Sequence, residues 1–145
     1  MNSEEIREIM LKMDMSEFSG VYPSNKLPIN RLNSKRFYIV NLDDSDSPGS
    51  HWVGLVLKGD EAEYFDPLAL PFTNKFIIQS LKTYKIENII YNKKRIQSFS
   101  SESCAKFVIL FGLCIVKLKF SFNSFLNLFY CQRISDNEIY INNVL

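Results

Sequence analysis

Ten consecutive apolar residues run from Phe107 to Val116, bracketed by Lys106 and Lys117. A bilayer-spanning helix needs about 20 such residues, so this stretch reads as a helix buried in a protein core. The rest of the chain has to pack around it. The helical reading extends from about Ser103 to Phe120, and Phe122 to Phe129 adds a shorter helix. With 145 residues, 46% of them hydrophobic, there is material for a single domain spanning 1–145 with a substantial interior. A disordered chain is excluded.

Other segments supply what that helix packs against. Ser3 is placed to cap a short helix with Glu4 and Glu5 in its first turn and Ile6, Ile9, Met10 and Met13 on one face. Phe18 to Pro28, punctuated by Gly20, Pro23 and Pro28, reads as a loop. Phe37-Tyr-Ile-Val-Asn-Leu42 reads as a buried strand, broken by an acidic turn from Asp43 to Ser50. His51 to Leu57 and Glu61 to Phe65 read as strands joined by a tight turn at Lys58-Gly59-Asp60. Residues 74–84 read as a helix and Ile86 to Tyr91 as a strand. The pattern is α+β, with helices at both ends of a small, mainly antiparallel sheet.

Net charge is +1 and identifies no partner. Its distribution is uneven, because residues 75–106 carry seven bases (Lys75, Lys82, Lys85, Lys93, Lys94, Arg95, Lys106) against Glu87 and Glu102. Such a stretch is most often a solvated face, with an anionic partner such as nucleic acid as the other reading. The three cysteines form no CxxC or Cys/His cluster, so no zinc site is signalled. Reduced thiols in an intracellular compartment fit better than disulfides. The first 12 residues are polar and amphipathic, unlike a secretory signal.

The chain has one histidine, His51, so any Cys–His or Ser–His chemistry must use it. His51 and Asp66 flank the expected hairpin. Two registers are open, one with the turn centred between Lys58 and Gly59 and one with Gly59-Asp60 as the two-residue turn. Either puts the two side chains on one face, about 5–8 Å apart at Cβ. The carboxylate could then fix the imidazole tautomer. The plainer alternative is that Asp66-Pro67 opens a turn. Cys104 lies where small polar residues give way to the apolar helix, and the positive end of a helix favours thiolate. Cys114 lies inside the apolar run and reads as inert core, and Cys131 has no base near it in sequence. Gln97 could donate to an oxyanion together with the Cys104 backbone N–H. Taken alone it is an ordinary loop residue.

Four stretches together resemble the adenovirus-type (adenain-like) maturation cysteine proteases and their polinton and virophage relatives. They are Phe18-Ser-Gly-Val-Tyr-Pro23 with Leu27-Pro28; the strand Phe37 to Leu42 leading through Pro48-Gly-Ser to His51-Trp52-Val53; Tyr64-Phe65-Asp66-Pro67; and Gln97-Ser-Phe-Ser-Ser-Glu-Ser-Cys104. The resemblance implies a papain-like fold with the nucleophile at the start of the central helix. Cys104, His51 and Asp66 would be the triad, Gln97 the oxyanion glutamine, and Trp52 a residue beside the histidine lining the substrate groove. It implies no metal or small-molecule cofactor. The expected substrates are viral precursor proteins cut at glycine-containing sites during capsid maturation, inside the virion or the host nucleus or cytoplasm. A monomer is expected, with an activating peptide or DNA as partners in the adenoviral case and no membrane. Two positions depart from the pattern. Ala105 stands where such proteases have glycine after the nucleophile, and Pro67 follows Asp66. Two other readings are a ubiquitin-like-protein isopeptidase, which shares the His, Asp, Gln, Cys order, and a non-catalytic module on the same fold, for which Ala105 is the sequence support.

Overall fold

A computed structural model describes residues 1–30, 33–43, 51–99 and 101–145. The expected acidic turn lies outside these residues beyond Asp43, as do the Pro48-Gly-Ser stretch and Ser100. Among the described residues, helix α1 (Ser3–Met13) leads into β1 (Phe18–Pro23), β2 (Arg36–Asn41), β3 (Trp52–Lys58) and β4 (Glu61–Phe65). These are followed by α2 (Lys75–Thr83), β5 (Asn88–Tyr91) and α3 (Cys104–Gly112), which runs on as a π-helical segment at Leu113–Lys117. Helices α4 (Phe122–Leu126) and α5 (Ile134–Val144) complete the order.

The five strands form one sheet in the order β1-β2-β3-β4-β5. Pairing is antiparallel in the centre, between β2 and β3 and between β3 and β4, and parallel at both edges. The β3–β4 hairpin adopts the second expected register, with Lys58 opposite Glu61 and Gly54 opposite Phe65. Gly59 takes φ +59° in the two-residue turn, the left-handed conformation a tight hairpin needs at its first central position.

Strand side chains alternate between two cores. Phe37, Ile39, Trp52, Val56 and Phe65 join Ile6 and Met10 of α1 and the apolar residues of α3. Tyr38, Val40, Val53, Leu55, Leu57 and Tyr64 meet Ile77 and Leu81 of α2. Because both faces are covered, the strands read as continuous apolar runs rather than alternating ones. Phe65, Phe111, Phe125 and Phe129 form a ring cluster with centroids 5.0–5.4 Å apart, which fastens α4 to α3.

Three local expectations are corrected. Asn2, not Ser3, caps α1: it is extended and its side chain accepts from Glu5 N–H at 2.9 Å. The loop expected from Phe18 to Pro28 begins as strand β1, where an irregularity near Gly20 and an edge position for Pro23 let unlikely strand residues pair. Helix α5 was not anticipated. Only Asn137 and Ile141 of it are buried, so its apolar periodicity is weak.

Helix α3 lies very close to the sheet. A methyl group at Gly112 would fall 2.1 Å from the Phe37 ring, which is fully buried. Gly112→Ala gains about 1 kcal/mol of helix propensity, but overpacking costs about 1–3 kcal/mol. The expected result is a lower denaturant midpoint at unchanged m-value.

Candidate active site

The antiparallel centre of the sheet sets the first two residues. His51 stands just before β3 and Asp66 just after β4, at the open end of the hairpin. The His51 carbonyl accepts from Leu42 N–H at 3.0 Å, which carries the β2–β3 ladder one residue further and fixes the histidine backbone. His51 Nε2 and Asp66 Oδ1 are 2.6 Å apart, with side-chain exposures of 18% and 2%.

Asp66 is held from several directions. Oδ1 also accepts from Leu68 N–H at 2.9 Å, and Oδ2 accepts from Leu70 N–H at 3.3 Å. Its carbonyl accepts from Ala69 N–H at 2.9 Å. The aspartate therefore opens a turn and engages the histidine at once, so the two sequence readings are both realised. Sequence reasoning missed Asn92. This buried side chain accepts from Asp66 N–H at 2.9 Å and donates to the Asp66 carbonyl at 2.7 Å. It continues the β4–β5 ladder beyond Tyr64 and Tyr91 with a side-chain amide in place of backbone. An asparagine at a strand end gave no sequence signal for that role.

Cys104 is the first residue of α3 and 6% exposed. Its thiol interacts with the imidazole. With Nε2 engaged by Asp66, Nδ1 is the ring nitrogen left for the thiol. Burial exerts the largest influence on His51 and lowers its pKa. The hydrogen bonds and charges of Asp66 and Cys104 together outweigh burial and raise it to about 9. At neutral pH the ring holds its proton beside the sulfur.

Gln97 is 1% exposed and is brought to the site by Pro67, whose carbonyl accepts from Ile96 N–H and Gln97 N–H at 3.0 and 3.2 Å. Its Nε2 donates to the Ser101 carbonyl at 2.9 Å, while Oε1 is buried without a partner among the described residues. That orientation leaves the second Nε2 proton for another acceptor. Gln97→Ala is expected to lower turnover by roughly 10²–10³-fold if the amide is an oxyanion donor. A drop of less than fivefold would reassign it.

Trp52 takes a place other than the groove expected of it. It is 2% exposed, belongs to the core under α1, and its indole N–H donates to the Met1 carbonyl at 3.1 Å. The pleat decides this, since Trp52 shares a face with Phe37, Val56 and Phe65. Ala105 is 1% exposed and packs in the same core, so its methyl fills interior space. Cys114 is also buried, which pushes its thiol pKa up, and Cys131 is exposed. Among the described residues no group of acidic, histidine or cysteine side chains could hold a metal ion, and no helix is long and apolar enough to cross a membrane.

No protein-family model matches the chain, and no curated protein sequence matches it. Solved structures do match. The crystal structure of the ASFV pS273R protease is similar with a TM-score of 0.53 at 16% sequence identity. The fold is shared with a protease. The match takes in 85% of this chain and 58% of the ASFV protein, so the chain spans less than two thirds of that protease. The expected α+β fold is therefore observed, and it is shared with an ASFV protease.

Proposed function

We propose that the chain is a thiol endopeptidase with Cys104 as nucleophile, His51 as acid and base, Asp66 as the group orienting His51, and Gln97 as oxyanion donor. One observation carries the reading. The chain's single histidine is bonded on one ring nitrogen to a buried carboxylate, and its ring also interacts with a thiol at the start of a core helix.

In this mechanism the Cys104 sulfur attacks a peptide carbonyl carbon, and the resulting oxyanion is held by the Cys104 backbone N–H and the Gln97 amide. Collapse breaks the C–N bond while His51 gives its proton to the departing amine. Water, relieved of a proton by His51, then adds to the thioester and releases the acid and the thiol. The resemblance to adenovirus-type proteases and the fold shared with the ASFV protease support viral or transposon-encoded precursor proteins as substrates. Cleavage at glycine-containing sites during capsid maturation, in the virion or host cell, belongs to the same reading. An activating peptide or DNA belongs to it as well, supported by the basic residues of 75–106. Trp52, buried as it is, is not given a role in substrate binding.

The test is alkylation followed by cleavage. Iodoacetamide near neutral pH is expected to label Cys104 much faster than exposed Cys131 or buried Cys114. Cys104→Ala should abolish cleavage of precursor peptides. Ubiquitin-family tails ending in Gly-Gly, assayed alongside, identify the substrate class. Equally slow labelling of all three thiols would end the endopeptidase reading.

A further inference from the structure

Helix α5 reaches the candidate site through one side chain. Glu138 Oε1 accepts from Ser98 N–H at 3.1 Å and Oε2 accepts from the Ser101 hydroxyl at 2.9 Å. Ser98 and Ser101 are the two ends of a turn closed by Ser101 N–H donating to the Ser98 carbonyl at 3.1 Å. That turn lies between Gln97 and Cys104. The Ser101 carbonyl accepts the Gln97 amide at 2.9 Å, and its hydroxyl oxygen accepts from Ser103 N–H at 3.0 Å. The hydroxyl thus donates once, to the carboxylate, and accepts from the residue before the nucleophile, within its capacity of one donor and two lone pairs.

We infer that Glu138 is a positioning residue for the oxyanion donor: it pins Ser101, and Ser101 orients the Gln97 amide. This inference rests on the endopeptidase reading above. Among the described residues the Gln97 Oε1 atom is buried without a partner, and the Nε2 bond to Ser101 is the contact that fixes the amide's direction. An oxyanion donor is effective only when placed before the charge develops. The last helix of the chain becomes a working part of the site. Its own anchorage lies elsewhere. Asn137 donates to the Ile96 carbonyl at 3.0 Å, Ile141 is fully buried, and Lys106 donates to Asn142 at 2.8 Å. Removing the Glu138 carboxylate therefore leaves α5 docked.

The experiment compares Glu138→Ala, Glu138→Gln, Gln97→Ala and the Glu138→Ala/Gln97→Ala double variant in peptide cleavage. Glu138→Ala is expected to lower kcat by about 10–100-fold with little change in KM, and to leave iodoacetamide labelling of Cys104 unchanged. Glu138→Gln, which keeps an acceptor for Ser98 N–H, should retain more activity. In the Gln97→Ala background the alanine at 138 should cost less than about twofold, because the group it acts through is gone. Equal losses in both backgrounds would make Glu138 a general support of the fold and overturn the inference. A second readout does not need cleavage. The Gln97 side-chain amide signals in NMR should move in Glu138→Ala and stay in Asp136→Ala, a change on the same helix. Signals that stay in both variants overturn the inference whatever the cleavage assay gives. A wild-type chain that cleaves nothing while those signals still move sinks the endopeptidase reading and leaves the Glu138 clamp standing.

Discussion

Replacing His51 by alanine is expected to reduce peptide cleavage as completely as replacing Cys104, by on the order of 10⁵–10⁶-fold in turnover. In the proposed mechanism the two groups do one job. The sulfur needs the imidazolium beside it to attack, and the leaving amine needs the proton that the raised pKa of about 9 keeps on His51 at neutral pH. The chain has no second histidine to substitute. The His51→Ala/Cys104→Ala double variant should therefore be no worse than either single change. A double variant much slower than both would mean that the two act separately. Iodoacetamide gives the same answer without a substrate, since labelling of Cys104 should slow sharply in His51→Ala while labelling of Cys131 stays the same.

Asp66→Asn is expected to cost about 10⁴-fold in turnover and to change the titration of His51. In the native site, burial pulls the imidazole pKa down and Asp66, with Cys104, pulls it up. Asparagine keeps one acceptor oxygen, enough for the Leu68 or the Leu70 N–H but not for both, and removes the charge. Burial should then prevail, and the midpoint should fall well below 9. A lone histidine gives a single Hε1 resonance, so NMR reads this directly. The sign for stability follows from the same shift. The folded state binds the proton more tightly than the unfolded chain does, so the stabilisation is full below about 6.5 and is lost as pH rises through about 9. Asp66→Asn should flatten that fall. A titration midpoint unchanged from the native value would show that Asp66 does not govern the ring.

The central helix and the β3–β4 hairpin that carry the candidate site were legible in the sequence. His51, the chain's one histidine, and Asp66 bracket a hairpin, so spacing brings those two near one another, whereas Cys104 and Gln97 join them in the sequence through the family resemblance. Gln97 needed more, because its placement depends on two backbone bonds to the Pro67 carbonyl that no side chain announces. Trp52 went astray because alternation along β3 was hidden: with both faces of the sheet covered, apolar residues no longer mark which side is inside. Asn92 was silent for the opposite reason, since its work is done on backbone atoms of a distant strand. Strand β1 and helix α5 were hard to read because one contains glycine and proline at an edge and the other buries two residues.

The order in which the site can come together follows from the β3–β4 hairpin. Its turn is two residues long, so His51 and Asp66 meet through contacts that are local along the chain. The sulfur arrives from a separate element that must first close over the Phe37 and Phe65 rings. On the proposed mechanism, a substitution that loosens α3 from those rings would part the thiol from the imidazole while leaving His51 and Asp66 joined.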